Sequence, residues 1–334
     1  MSERRAPGSS LKGAELIRAI CNLEELEKLA REEEFEEGGE ASVGLATNVL
    51  SGKIKDLLIT LRAKSEGALT FSFSSVDFDI LEEKLRISPR DTLVKKGNHV
   101  NRAAESILQS GGRYMTSEDM YRHLNMLENL VPKANEAGAR LWIDAIFFRV
   151  SAMVSGNKGM VLNLEQHVPA VGIPVPDKAC SLNICGTIDY AALTTDPYEH
   201  ESFIQTSHFQ FIKHKNLNGL FVAEAKPGSS TLAQHVPRAV AEMYASAKYL
   251  NKGILRGALT NGHEWIFLIF YLDKDGIGGT YTTTPIIKIQ VNDSYPFCIL
   301  SPGPDIVAGI LAYWIDRSFS DLDENDWFSQ RARK

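Results

Sequence analysis

The chain has 334 residues, 44% hydrophobic and 23% charged, with a formal net charge of −6; these are the proportions of a globular protein. Its four cysteines (Cys21, Cys180, Cys185 and Cys298) are too few and too scattered for a disulfide framework, which points to a reducing compartment. The longest apolar runs, such as WIFLIFYL (265–272), are too short to span a bilayer, and the polar start MSERRAPGSSLKG lacks the apolar core of a signal peptide, so an intracellular protein, nuclear or cytoplasmic and free of the membrane, is expected.

In chain order, residues 1–12 read as a disordered tail. Two helical stretches follow, AELIRAICNLEELEKLAREEEFEE, stopped by Gly38-Gly39, and SVGLATNVLSGKIKDLLITLRAK, each with apolar residues at helical spacing. Residues 11–40 hold ten Glu against four Lys or Arg. That excess equals the net charge of the whole chain, so charge arguments elsewhere must be local. Residues 68–130 mix a strand-like ALTFSFSS with the helical patches NRAAESILQS and SEDMYRHLNMLENLV. Residues 13–130 therefore read as a mostly helical N-terminal region, with a homodimer through its helices as one role.

The pattern changes near residue 131, where a domain over 131–325 begins. PKANEAGARLWIDAIFFRVSAMV reads as a long helix, and MVLNLEQHVPA and CSLNICGTIDYAALT as strands. A charged loop over 195–218 leads to the strand LFVAEAKPG, followed by a helix to about Asn251 and the strands ILRGALTNG and EWIFLIFYLD. GTYTTTPIIKIQV reads as an edge strand and PDIVAGILAYWIDRSF as a closing helix. The order predicts an α/β fold, a central mixed sheet flanked by helices.

Two stretches carry the chemistry. In LFVAEAKPG, side chains two apart on a strand share a face, so Glu224 and Lys226 project together while Phe221, Ala223 and Ala225 point the other way. In CGTIDYAAL, Asp189 shares a face with Thr187 and Cys185. If the two strands are neighbours, Asp189 and Glu224 converge, and two carboxylates on one point bind Mg²⁺ or Mn²⁺, with the Ala225 carbonyl as a further ligand. Lys226 would then position or deprotonate water, or stabilise negative charge developing on a phosphate. A structural ion pair at a sheet end is the plainer alternative for Glu224 and Lys226.

Asp189 followed by Glu224-x-Lys226 on the next strand, in a helix–strand–strand–strand–helix–strand order, resembles the PD-(D/E)XK nuclease superfamily, the restriction-endonuclease-like fold. The likeness covers about residues 131–290, including the LTNGHEWIFLIFYL strand pair, and the wider texture resembles fungal nuclease-like proteins. It implies a metal-dependent nuclease in which Asp189 and Glu224 bind the catalytic metal and Lys226 assists the attacking water. It also assigns Glu136 to the acidic position of the first core helix, and Gln234 to the helical position near the metal or the nucleic acid. Ile188 stands where the family commonly has Pro.

Substrate contacts are expected from Lys213 and Lys215 in FIKHKNLNG and from Arg238, with Lys248, Lys252 and Arg256 as a second basic group; such residues grip phosphate without choosing sequence. DNA is expected ahead of RNA. Asp144 reads as paired with Arg140 or Arg149, and His235 and His263 as surface or loop residues. The Cys180-x4-Cys185 pair has no second half for zinc. A module of the same fold that binds nucleic acid or a protein partner without cleaving is the competing reading.

Overall fold

The computed structural model describes residues 57, 69–108, 115–154, 157–174, 182–206, 209–215 and 219–332. The tail, the first N-terminal helix, the second except for Leu57, and the dimer expected from them lie outside these residues, as do Cys21 and Cys180. The chain divides into two compact units, one of Met1–Ser72 with Pro169–Cys185 and one of Phe73–Val168 with Gly186–Lys334. In the first, strand β1 (Leu69–Ser72) pairs in parallel with Leu182–Cys185.

The second unit is α/β. The chain path runs through β2 (Ile87–Lys95), α1 (His99–Leu108), α2 (Ser117–Leu130), α3 (Glu136–Met153), β3 (Gly159–Ile173) and β4 (Leu182–Thr195), of which 169–173 and 182–185 belong to the first unit. It continues through α4 (Pro197–Gln205), α5 (Phe209–His214), β5 (Gly219–Ala225), α6 (Val236–Leu250), β6 (Ile254–Thr260) and β7 (Glu264–Leu272). The last elements are β8 (Gly279–Thr283), β9 (Ile287–Lys288), α7 (Gly303–Asp316) and β10 (Phe328–Arg331). The strands lie in the order β4-β5-β6-β7-β8-β2-β10, with β3 on β4 and β9 on β7. The sheet is mixed: β4–β5 and β6–β7 are antiparallel, whereas β5–β6 is parallel, with α6 as the crossover.

Helix α6 packs on β5, β6 and β7, while α3 and α7 pack against β5 and against each other. Phe221, Ala223 and Ala225 of β5 join Trp142, Trp265, Trp314, Phe267 and Phe328 in one core. Aromatic side chains bury about 150–250 Å² each and dominate such a core. With helices on both sides of the sheet, β5 is buried at all seven positions. Any charge on it is therefore enclosed and must find a partner.

Three sequence expectations change here. GTYTTTPIIKIQV is not an edge, because β8 lies between β7 and β2 and the sheet runs on to β10. Within 68–130 only ALTFSFSS is expected to be extended, but ISPRDTLVK forms strand β2, and the sheet absorbs Pro89 and Asp91 in a register irregularity between Pro89 and Thr92. The expected loop over 195–218 contains the short helices α4 and α5, the first opened by Pro197 after Asp196.

Candidate active site

The end of β5 gathers the charges. The last pair of the β4–β5 ladder is Tyr190 with Ala223, and that register sets Asp189 opposite Glu224. Here the ladder gives way to a side chain: the Ala225 N–H donates to Asp189 Oδ2 at 2.8 Å. An extended residue points its carbonyl to the same side as its N–H, so the Ala225 carbonyl faces Asp189. On the other side of β5, the Lys226 N–H continues the parallel ladder, donating to Thr260 O at 2.8 Å. Pro227-Gly228 then ends the strand, and Gly228, free of a Cβ that would sit 2.6 Å from Lys133 O, donates its N–H to that carbonyl at 3.1 Å.

Cations enter from both helical layers. Arg140, one turn into α3, donates from Nη2 to Asp189 Oδ1 at 2.7 Å and to Glu136 Oε1 at 3.0 Å, and from Nη1 to Glu165 Oε1 at 3.0 Å. The Lys226 ammonium bonds to Glu224 Oε1. Arg238 Nε lies 2.7 Å from the same oxygen and 3.1 Å from Glu242 Oε1. Three carboxylates (Asp189, Glu224, Glu242) thus face three cations (Arg140, Lys226, Arg238). Glu224 and Glu242 are wholly buried, with Lys226 and Asp189 nearly so.

The Glu224 and Glu242 carboxyl groups share Arg238 Nε through Oε1, yet Oε2 of each is buried without a donor. Burial raises the affinity of Glu224 for a proton, and the charges of Glu242 and Asp189 raise it further. Burial raises Glu242 as well, with Glu224 and Arg238 opposing. Arg238 Nε bridges the two Oε1 atoms, but the buried Oε2 atoms are left to a proton or a cation, so this chemistry fits a hard cation bound by oxygen. Asp189, Glu224 and the Ala225 carbonyl are the groups that would hold it. Among the described residues no three His, Cys, Asp or Glu side chains close around one point.

The expected site residues divide accordingly. Asp189, Glu224, Lys226 and Arg238 meet in the cluster. Glu136, the first residue of α3, is tied to it through Arg140 and is itself 40% exposed. Gln234 is exposed on the 3-10 turn Leu232–His235 that precedes Pro237. Lys213 lies 4.6 Å over the Tyr249 ring, and Lys215 pairs with Glu199 at 3.3 Å.

Several readings are corrected. Asp144 accepts from the Tyr190 hydroxyl at 2.8 Å rather than from an arginine, and burial raises its affinity for a proton. His263 lies in the β6–β7 loop, as expected, but not at the open surface: its ring is tilted 3.9 Å from that of Trp142, and its Nε2 lies 3.0 Å from the buried Glu128 Oε2. His235 is half-buried, and burial holds its imidazole below the ordinary value, with Lys226 and Arg238 adding to the effect. Arg256 is fully buried on Asp326 and cannot meet a phosphate. Lys248 is bonded to Gly276 O, and Lys252 lies 4.5 Å over the Phe319 ring.

Sequence reasoning missed Glu242, Arg140 as the clamp on Asp189, and Glu165. Glu242 had a signal: a lone carboxylate in the apolar run AVAEMYASA, four residues after Arg238 on one helix face. No family model matches the sequence, and no curated protein matches it.

Proposed function

We propose that the protein is a Mg²⁺- or Mn²⁺-dependent nuclease that hydrolyses phosphodiester bonds, of DNA ahead of RNA, at the end of β5. The observation that carries this reading is the opposition of Asp189 and Glu224 where the β4–β5 ladder ends, with Lys226 on Glu224. The chain order α3-β3-β4-α4-α5-β5-α6-β6 supports a restriction-endonuclease-like core, because, apart from the two short helices α4 and α5 before β5, it follows the order of the superfamily that the motif resembles.

Asp189, Glu224 and the Ala225 carbonyl would hold the divalent ion, with Glu136 supporting them through Arg140. When bound, the ion supplies a Lewis acid for the phosphoryl oxygen and lowers the pKa of a bound water. Lys226, held as an ammonium beside Glu224, would orient the attacking water, and its charge would oppose the negative charge building on the phosphate. Arg140 keeps one oxygen of Asp189 in place and the Ala225 N–H keeps the other, so the carboxylate is pre-oriented. Arg238 on α6, Lys213 and Lys215 around α5, and Gln234 at the start of the α6 layer would grip the nucleic-acid backbone.

The test incubates the protein with plasmid DNA and with single-stranded RNA, under Mg²⁺, Mn²⁺ or EDTA, beside Asp189→Asn and Lys226→Ala. Metal-dependent cleavage lost in both folded variants is the expected result, and the substrate that is cut names the class. A second reading, a nuclease-fold module that binds nucleic acid or a protein partner without cutting, is favoured by one observation: each carboxylate of the cluster already faces a cation of the chain. Wild-type protein that cuts neither substrate with either metal would select it.

A further inference from the structure

Strand β3 breaks its own alternation beside the site. Val161 and Asn163 are buried, Leu164 and Glu165 are both exposed, and then Gln166 and Val168 are buried. The inward face thus moves by one residue at 164–165. Glu165 has φ 51°, a left-handed conformation that a side chain with a Cβ rarely adopts. Beneath the break, the Asn163 side-chain amide donates to Gln166 Oε1 at 3.2 Å, and Gln166 Nε2 donates to His167 O at 3.1 Å. These are the marks of a β-bulge held in place by buried amides. Bulges re-aim a side chain, and they gather next to active sites.

What the bulge aims is a carboxylate at Arg140. Glu165 Oε1 lies 3.0 Å from Nη1, while Nη2 serves Asp189 and Glu136. One guanidinium therefore carries three carboxylates, only one of which, Asp189, is buried; the side chain of Glu165 is 69% exposed. Electrostatics alone does not call for the third acid, since Asp189 and Glu136 already exceed the charge of Arg140. A guanidinium fork presents the same geometry to a phosphate as to a carboxylate.

We propose that Arg140 is the phosphate-contacting residue of the site, and that Glu165, delivered by the bulge, occupies its outer fork until a substrate phosphate displaces it. The inference rests on the nucleic-acid reading above and adds to it a named contact and a built-in competitor. The substrate phosphate would exchange one exposed anion for another, leaving the Asp189 contact undisturbed. Glu165 acts only through Arg140, so it is a positioning residue and not a catalytic one.

The probe is a short fluorescein-labelled single-stranded DNA, titrated in EDTA so that nothing is cut. Glu165→Gln keeps shape and removes the competing charge; Glu165→Asn keeps a residue tolerant of positive φ but shortens the reach. Both should bind about two- to fivefold more tightly than wild type, the worth of one exposed ion pair. In the Arg140→Gln background the same changes should have no effect, because their influence runs through Arg140. Arg140→Gln alone should reduce the log–log salt slope by about one phosphate contact. Circular dichroism and melting curves confirm that each variant is folded. If wild type binds and both Glu165 variants bind equally or more weakly, this inference is overturned and the nuclease reading stands. If neither wild type nor the variants bind, the nucleic-acid reading falls, and this inference with it.

Discussion

Arg256 Nη1 donates to Asp326 Oδ2 at 2.6 Å with both side chains fully buried, and Trp314 Nε1 donates to the other oxygen of the same carboxylate at 3.0 Å. By chain position Arg256 belonged with Lys248 and Lys252 as a phosphate contact. Its partner lies 70 residues further along, and no local pattern announces it. Arg256→Met should therefore destabilise the fold by about 3–5 kcal/mol, the effect of stranding one member of a buried pair. Urea unfolding measures this, and the nucleic-acid affinity of the remaining folded protein should stay unchanged. The same contrast separates the site residues. Glu224 and Lys226 were legible because a strand puts residues two apart on one side. Glu242 and Glu165 come from other elements, and only the folded chain brings them near.

Helix α3 shows how an element places the site. Asn135 caps it, accepting the Gly138 N–H at 2.7 Å. Gly138 is required there, since a Cβ would fall 2.4 Å from Pro132 O. Five residues beyond the cap is Arg140, so the cap fixes where the guanidinium meets Asp189. Asn135→Ala should cost about 0.5–2 kcal/mol of stability, in the range for lost N-caps. It should also weaken binding of the labelled DNA, and a thermal melt read beside a binding titration checks both. The helices α3, α6 and α7 and the strands β3 to β7 were legible, β5 to β7 as short, mostly apolar runs bounded by turn residues. β2 and β10 were not: the first carries Pro89, and the second is four residues long with three exposed. Both take their extended form from neighbouring strands rather than from propensity.

For the molecule as a whole, the buried acids tie stability to pH. The unfolded chain releases the protons of Glu224 and Glu242 near the ordinary Glu value of 4.5, whereas the folded pair binds protons more tightly because it is buried. The stabilisation from this pair is complete below the unfolded value and is lost as rising pH ionises the folded pair. The Tm of the metal-free protein should therefore fall between about pH 5 and about pH 8. In Glu242→Gln, which leaves one acid where there were two, the fall should be shallower. Calorimetry at a series of pH values measures the slope, and a Tm that rises across the interval would contradict the assignment. The overall class, an α/β unit with helices on both faces of a mixed sheet, was legible from element order; this proton inventory was not, because it depends on burial from opposite layers.

One detail of the β4–β5 junction bears on how relatives of this chain should be compared. Asp189 stands in for a missing rung of the ladder by accepting the Ala225 N–H, and a buried amide left without an acceptor costs about 1–3 kcal/mol. The sheet therefore needs an oxygen at position 189 whatever the chain does to a phosphate. During evolutionary drift after a loss of activity, selection for folding alone would keep Asp or Asn there. Lys226 makes no such bond to the backbone through its side chain; it is held by its buried pair with Glu224, so those two would be kept or lost together. A lineage that loses the Glu224–Lys226 pair and retains only position 189 is under selection for the sheet.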